Sequence, residues 1–295
     1  MSFDEGLAVG LALGKKRFGG GGGGDKWTYP ADWIQMPSPA SNEVYCVGTI
    51  SLSEDKQVYL SMQNWGGETG TCFIDWGDGA TTDLGLYSSA LHTYTDGTGH
   101  LTDSGMEQFL IKVTMSNPAD WGRVRLGANY GYNFALAFAY GADTLLPQTF
   151  DDMRTIHQVQ LPNVTTLVGD FFGACQVLKK IITPTKLITI GGGWLNGCYS
   201  LEHIDLSEVT AIVGQGFGSN YRLTKLDMPK LTSVGDYGIR NCTALREINA
   251  PLLASVGNYA LSNNLSLSKI IHAEGCTFGT HATQNCYNLY PNPAP

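Results

Sequence analysis

The strongest constraint on the fold is a repeat of 22 or 23 residues that fills the second half of the chain. It is marked by a leading apolar column of Ile156, Leu178, Leu201, Leu223, Leu245, Leu267 and Leu289. Two further apolar columns keep the same period, Val159, Ile181, Ile204, Leu226, Ile248 and Ile270, then Leu167, Ile190, Ile212, Val234, Val256 and Phe278. This self-similarity predicts a solenoid, in which each repeat is one coil and the apolar columns stack into one continuous core.

One repeat, LTKLDMPKLTSVGDYGIRNCTAL from Leu223 to Leu245, carries a family resemblance. It resembles the BspA-type leucine-rich repeat, whose pattern is roughly LxxIxLPxxxxxIGxxAFxxCxxL. The resemblance covers about 150–289. It implies a leucine-rich-repeat solenoid over 150–295, with 117–149 as linker and repeat cap, and it suggests a bacterial surface adhesin.

Three residues before each leading apolar residue lies a column of mixed type: Met153, Cys175, Cys198, Asn220, Cys242, Asn264 and Cys286. A column that accepts Cys or Asn predicts inward side chains that contact turn backbone, with thiols acting as small hydrophobes. Pairing between neighbouring cysteines stays open, although free thiols are favoured. A zinc site of His272, Cys276, His281 and Cys286 is the alternative, disfavoured because the column already explains Cys286.

The candidate binding face lies two and four residues beyond each leading apolar residue, where side chains should point outward from a strand. Its residues are Lys180, His203, Asp205, Lys225, Asp227, Glu247, Asn249 and Lys269. Solenoids commonly recognise partners through such extended surfaces. An ordinary solvated face is the alternative. Aromatic residues on the turns offer a second surface for sugars or partners, or pack between coils; they are Trp194, Tyr199, Tyr221, Tyr237 and Tyr259.

The middle segment, 42–116, alternates polar and apolar residues between turn motifs, which predicts a β-sandwich of short strands. It contains FIDWGDG, then HTY, then FLIKV, in that order. This order resembles the PKD (polycystic kidney disease) family, with a GTGHLTDSG insert as the departure. The resemblance implies an immunoglobulin-like sandwich that acts as a spacer or adhesion module, and its motif residues are Asp75, Trp76, Gly77, Asp78, Gly79, His92 and Tyr94. A calcium site at Asp75 and Asp78 is disfavoured, since calcium needs six to eight oxygens.

The first segment predicts a short helix over 1–18 and a glycine-rich tether and linker over 19–41. Ser2 and Glu5 fit a capping box. Gly6, Gly10 and Gly14 recur every fourth residue beside Leu7 and Leu11, so one helix face can approach a partner closely. We expect this helix to dock into a larger protein assembly. A disordered tail is the alternative, and a cleaved signal is disfavoured because acidic residues precede the apolar stretch.

Composition excludes several classes of protein. Glycine contributes 37 of 295 residues, which argues against a helix-dominated chain because glycine destabilises helix interiors. The net charge of −8 disfavours nucleic-acid binding. No apolar run is long enough for a membrane span. The predicted fold class is therefore mainly β: an immunoglobulin-like β-sandwich followed by a leucine-rich-repeat solenoid, with a short N-terminal helix.

These features predict a non-enzymatic recognition or adhesion protein with no cofactor or metal. No nucleophile elbow, phosphate loop or HExxH motif occurs, and His203 near Asp205 is the only paired candidate. A docking helix on a tether suggests a virion appendage, such as a phage tail or head fibre, that binds a host-surface protein or glycan. A homo-oligomer is expected. The alternatives are a bacterial cell-surface adhesin and a structural decoration protein without a ligand.

Overall fold

The computed structural model describes residues 28–49, 56–63, 70–85, 88–116, 123–127, 135–141, 150, 155–164, 166–169, 171–173, 175–182 and 187–290. The regular elements in these ranges are all β-strands. The described residues form two compact units: one reaches Gly141 and includes 155–159, and the other contains residue 150 and 160–290. The predicted N-terminal helix, with Gly6, Leu7, Gly10, Leu11 and Gly14, lies outside the described residues.

The described residues of the first unit contain ten strands in two sheets, of which the tenth ends at Gln160 in the second unit. The strands are β1 Glu43–Thr49, β2 Gln57–Gln63, β3 Thr71–Asp75, β4 Thr81–Gly85, β5 Ser89–Thr93, β6 His100–Leu101, β7 Glu107–Met115, β8 Arg123–Gly127, β9 Ala135–Tyr140 and β10 Gln158–Gln160. One sheet has the order β10-β9-β1-β7-β3-β4, with β6 also on β7, and the other has the order β5-β2-β8. The pairings of β1 with β7 and β9, and of β2 with β5 and β8, are antiparallel.

The core of the first unit lies against β1 and β7. Phe109, Ile111, Val113 and Met115 alternate along β7 and are all about fully buried, as an antiparallel strand with one core face requires. Strand β1 is buried from Val44 to Thr49, so both of its faces are covered.

The first unit extends beyond the predicted range 42–116 on both sides. Strands β8 and β9 fall in 117–149, the range predicted as linker and repeat cap, yet they pair with β2 and β1. Phe138 on β9 is 1% exposed. The apolar residues of β9 therefore form a buried strand of the first unit, and not the repeat cap that the sequence predicted. Upstream, Trp33 in the range predicted as linker packs with Met106 and Leu136.

The second unit is a solenoid whose strands pair in parallel between coils. A six-stranded sheet consists of β11 Thr166–Val168, β13 Thr189–Gly191, β15 Ala211–Val213, β17 Ser233–Val234, β19 Ser255–Val256 and β21 Thr277–Phe278. Its register places Leu167, Ile190, Ile212, Val234, Val256 and Phe278 side by side. The predicted apolar column is therefore confirmed as one row of the sheet.

The opposite strand of each coil carries another predicted column. Strand β12, Lys180–Ile182, pairs with β14, His203–Ile204. Strands β16 Lys225–Asp227, β18 Glu247–Asn249 and β20 Lys269–Ile271 form a three-stranded sheet in which Leu226, Ile248 and Ile270 are aligned. The leading column is buried throughout, with exposures of 1% or less from Ile156 to Leu267 and 8% at Leu289. The mainly β fold with a leucine-rich-repeat solenoid is thus as predicted.

Candidate functional site

The outward strand face of the solenoid brings Lys225, Glu247 and Lys269 into one row. They are paired across β16, β18 and β20. The Glu247 Oε1 atom lies 3.5 Å from Lys225 Nζ and 3.7 Å from Lys269 Nζ. One carboxylate therefore serves two cations, and the lysine side chains remain more than half exposed.

The second column of this face is held by a carboxylate–amide contact. Asn249 Nδ2 donates to Asp227 Oδ1 at 2.7 Å across neighbouring coils. One coil earlier, Asp205 Oδ1 accepts the Ser207 backbone N–H at 3.0 Å and so closes a local turn. Lys180 lies next to His203 in the register of β12 and β14. The candidate binding face thus carries both positive and negative side chains, which partly neutralise one another.

A further charge cluster on these coils was not predicted from the sequence. Glu202 Oε1 lies 3.6 Å from Lys179 Nζ and 3.8 Å from Arg222 Nη1. Each of the three residues lies next to a leading apolar residue, so the repeat period could have indicated the cluster. It extends the pattern of one acid shared by two bases.

An aromatic row runs along the turns of the last three coils: Tyr237, Tyr259 and His281. The rings of Tyr237 and Tyr259 are stacked, with centroids 5.4 Å apart and planes within 3°. The His281 ring follows 5.1 Å from Tyr259. At the other end, the Arg240 guanidinium carbon lies 5.2 Å from the Tyr237 ring centroid. The row is thus a series of ring contacts, stacked between the two tyrosines and tilted by 43° at His281, that begins with a cation–π contact.

Each residue of the aromatic row has a left-handed backbone. The φ angles are 60° at Tyr237, 53° at Tyr259 and 55° at His281. Large side chains are rare in this region, and holding a residue there costs about 1–3 kcal/mol. The left-handed backbone at these residues could not be predicted from the sequence, because such positions usually hold glycine or asparagine. Their spacing of 22 residues, in contrast, is visible in the sequence.

The other turn aromatics divide into exposed and buried positions. Tyr199 and Tyr221 are 41% and 45% exposed and are stacked at 5.1 Å. Trp194, in contrast, is fully buried and makes edge contacts to Phe172 and Phe217. Trp194 therefore packs between coils and is not available to a ligand.

An asparagine row lies four residues after the aromatic row in each coil: Asn241, Asn263 and Asn285. All three have φ near 60°. Asn263 Nδ2 donates to Asn241 Oδ1 at 2.9 Å, and Asn285 Nδ2 donates to Asn263 Oδ1 at 2.7 Å. The side chains form a ladder from coil to coil, and asparagine suits the left-handed backbone.

The mixed column faces inward, as predicted, and each of its Cys and Asn residues donates to a carbonyl in the preceding coil, while Met153 lies outside the described residues. Cys242 Sγ donates to Phe217 O at 3.1 Å and Cys286 Sγ donates to Leu261 O at 3.1 Å. Burial raises the pKa of Cys242 to about 12 and that of Cys286 to about 11, each partly offset by a backbone hydrogen bond. These neutral thiols are structural donors. Two of the four residues of the zinc site considered from the sequence thus have structural contacts: Cys286 donates to Leu261 O, and His281 packs on Tyr259 in the aromatic row.

In the first unit, the WGDG and HTY motifs interlock. His92 Nε2 lies 2.8 Å from Asp78 Oδ2, and the His92 ring stacks on Trp76 with centroids 4.8 Å apart. Tyr94 makes an edge contact with His92, and its hydroxyl donates to Trp76 O at 2.8 Å. Burial raises the Tyr94 pKa, so this phenol stays a donor.

The acidic residues of this motif serve its turn. Asp75 Oδ1 accepts the Gly77 N–H and Asp78 Oδ1 accepts the Ala80 N–H, at 2.9 and 3.0 Å. Burial alone would raise the pKa of Asp78, but the bonds from Ala80 and His92 outweigh it and lower the pKa. Within the described part of the chain, no group of three or more His, Cys, Asp or Glu side chains is placed to hold a metal.

Comparison with known families identifies the repeats. The model of the BspA type Leucine rich repeat region matches in six copies over residues 143–268 and 210–291, which together reach half of the chain. No curated protein matches the chain. Among the described residues, no helix has the length and apolar character needed to cross a membrane.

Three solved structures to which this chain is similar are bacterial proteins with leucine-rich repeats. A leucine-rich repeat protein from Bacteroides ovatus ATCC 8483 is 21% identical with a TM-score of 0.46, covering 57% of this chain and 44% of that one. The T. pallidum leucine-rich repeat protein TpLRR is 18% identical with a TM-score of 0.48, covering 58% and 84%. A leucine-rich cell surface protein from Faecalibacterium prausnitzii A2-165 is 21% identical with a TM-score of 0.41, covering 55% and 44%. This chain thus spans less than half of the first and third of these proteins. On the match of the family model, the chain belongs to the BspA-type leucine-rich repeat family.

Proposed function

We propose that the protein is a non-enzymatic recognition or adhesion protein whose repeat array binds a target on a cell surface. The observation that carries this proposal is the in-register stacking of the coils, which sets outward side chains in continuous rows such as Lys225, Glu247 and Lys269. Rows of this kind form an extended surface that can contact a large target at many points.

The first unit is proposed to act as a spacer or adhesion module, in line with its PKD-like motifs. The polar side chains of its motif bond within the motif: His92 lies 2.8 Å from Asp78, and Tyr94 donates to Trp76 O. A rigid turn of this kind supports a scaffold rather than a catalytic site.

Two locations of the protein fit this function: a bacterial cell surface and the surface of a virion. A bacterial cell surface agrees with the family of the repeats. A virion appendage is suggested only by the predicted docking helix, 1–18, and the glycine run of the tether, 19–24, both of which lie outside the described residues. Mass spectrometry of purified particles and of cell envelopes separates the two locations, and deletion of residues 1–18 should abolish incorporation into particles if the helix docks there.

The recognition proposal is tested by cell binding of the fluorescently labelled full chain. We expect saturable binding that excess unlabelled chain competes away. Two variants alter the array, Lys225→Ala with Lys269→Ala, and Tyr237→Gly with Tyr259→Gly. A third, Leu91→Ala, alters a 60% exposed side chain of the first unit. Loss of binding in at least one array variant, with binding retained by L91A, supports the proposal. Absence of saturable binding, or loss in L91A alone, overturns it.

A further inference from the structure

The last three coils carry a surface of repeated neutral groups that differs from the charged strand face. We infer that the aromatic row and the asparagine row bind a linear, uncharged polysaccharide along the solenoid axis. This inference rests on the proposed recognition function, and it names the surface and the chemical class of the target.

The first support is electrostatic. The rows lie in three corresponding segments, 236–244, 258–266 and 280–288. Across these segments Asp236 and Arg240 are the only Asp, Glu, Lys or Arg residues, and their charges cancel. The strand face of the same coils, in contrast, contains a Lys or Glu on each of β16, β18 and β20. A neutral ligand suits the first surface and an ionic ligand the second.

The second support is the groups that the rows offer. Because the stacked rings of Tyr237 and Tyr259 cover one another's faces, their edges and phenol hydroxyls remain for a ligand. Phenol hydroxyls and amides can both donate and accept hydrogen bonds. Tyr237 is 36% exposed and His281 is also exposed, while the exposed Tyr287, outside both rows, donates its hydroxyl to Asn285 Oδ1 at 3.0 Å. These groups match the hydroxyls of a sugar, while the rigid rings add apolar contact.

The third support is repetition. The same group recurs from coil to coil, asparagine three times and tyrosine twice before His281, at the spacing of hydrogen-bonded parallel strands, about 4.8 Å. The strand face of these coils does not repeat in this way: its residues are Lys, Glu and Lys in one column and Asp, Asn and Ile in the other. A surface that repeats its groups fits a ligand that repeats its own, which favours a polymer of identical units over a folded protein.

The fourth support is the backbone strain at the aromatic row. The asparagine row has a structural explanation, since asparagine tolerates the left-handed backbone and the side chains bond between coils. The aromatic row occupies left-handed positions where glycine would relieve the strain. Strained positions of this kind concentrate at functional sites. The ring contacts from Arg240 to His281 also orient the rings before a ligand arrives, which reduces the entropy cost of binding.

The inference is tested by calorimetric titration of the full chain with cellohexaose, xylohexaose, mannohexaose and laminarihexaose. We expect at least one hexasaccharide to bind, and Tyr237→Gly with Tyr259→Gly to weaken that binding at least tenfold. Glycine accepts the left-handed backbone, so the thermal unfolding curve of this variant should stay near that of the wild type. The matched control, Lys225→Ala with Lys269→Ala, should bind the sugar as the wild type does.

Three results would overturn the inference: no binding of any hexasaccharide, unchanged binding by the folded glycine variant, or equal loss in the lysine variant. The cell-binding experiment separates this failure from failure of the proposed function. If cells are bound and only the lysine variant loses that binding, the array is still a recognition surface but its target is ionic, as expected for an acidic protein partner. If no cells are bound saturably, the recognition function itself fails.

Discussion

The side-chain amide of Asn264 donates to the backbone carbonyl of Ile239, 25 residues earlier, at 2.8 Å. The thiol of Cys242 makes the same contact with Phe217, also 25 residues earlier, at 3.1 Å. Two residue types of different chemistry thus perform one task, which is to satisfy a buried turn carbonyl in the preceding coil. This equivalence explains why the column accepts both Cys and Asn.

Asn264→Ala should destabilise the solenoid strongly. Asn264 is fully buried, also donates to Leu261 O, and accepts the Cys242 N–H at 2.8 Å. Each buried group left without a partner costs about 1–3 kcal/mol, so we expect a loss of at least ~2 kcal/mol in urea unfolding. Asn264→Cys should lose clearly less, because a thiol restores the bond to Ile239. Equal losses in the two variants would show that the column bond contributes nothing specific.

Gly77→Ala should be more harmful than Gly79→Ala. Both glycines have left-handed backbones, with φ of 82° and 94°. A Cβ at Gly77 would lie 2.5 Å from the Leu110 carbonyl oxygen, whereas one at Gly79 would meet nothing within 4 Å. We expect about 1–2 kcal/mol for G79A from backbone strain alone, and a larger loss for G77A. Thermal unfolding of both variants measures the difference, and a G79A loss equal to that of G77A would contradict the predicted clash.

Much of the solenoid was predictable because apolar residues recur at a period of 22 or 23 residues along the second half of the chain. Columns of Leu, Ile and Val at a fixed period can only be explained by stacked coils, and the register of Ile190, Ile212 and Val234 follows. The extent of the first unit was not predictable, since the β9 sequence fits a cap as well as a buried strand. The sequence showed the aromatic residues on the turns but not their left-handed backbone, because Tyr237 and Tyr259 occupy a conformation that their residue type disfavours.

Lowering the pH should destabilise the first unit through Asp78. Its pKa is lowered in the folded state, so the carboxylate stabilises the fold above its unfolded pKa of about 4. That stability is lost as the pH falls from about 4 through the lower folded value. Asp78→Asn should flatten this part of the stability curve, measured by urea unfolding from pH 7 to pH 2.5. Glu43 is a second carboxylate with a lowered pKa, so some dependence should remain. A D78N curve parallel to that of the wild type would contradict this role.

Thiol alkylation of the native protein should select Cys276. It is partly exposed, whereas the other six cysteines are buried, and burial raises the pKa of Cys72 and Cys286 to about 11. A brief iodoacetamide treatment at pH 8 should therefore label Cys276 first, with the remaining six labelled only in denaturant, as peptide mass spectrometry can show. Early labelling of Cys242 or Cys286 would show that the column opens in the native state.

Glu247→Gln should change stability little. Glu247 lies between two lysines on the solvent side of the coils, and surface ion pairs contribute about 0.2–1 kcal/mol each. We expect a loss below ~1 kcal/mol in urea unfolding that shrinks further in 0.5 M salt, since salt screens exposed charges. A loss of several kcal/mol that persists in salt would mean that the strand face is structural, and its residues would then be poor candidates for recognition.

Hydroxyl-radical footprinting of the full chain on intact target cells tests the central claim most directly, because it maps the bound surface without any substitution. The account predicts that binding protects array residues, above all Tyr237 and Tyr259, while the exposed side chains of Phe73 and Leu91 in the first unit keep their free-chain oxidation rates. Protection confined to Phe73 and Leu91, with the array oxidised as in the free chain, would contradict recognition by the repeat array.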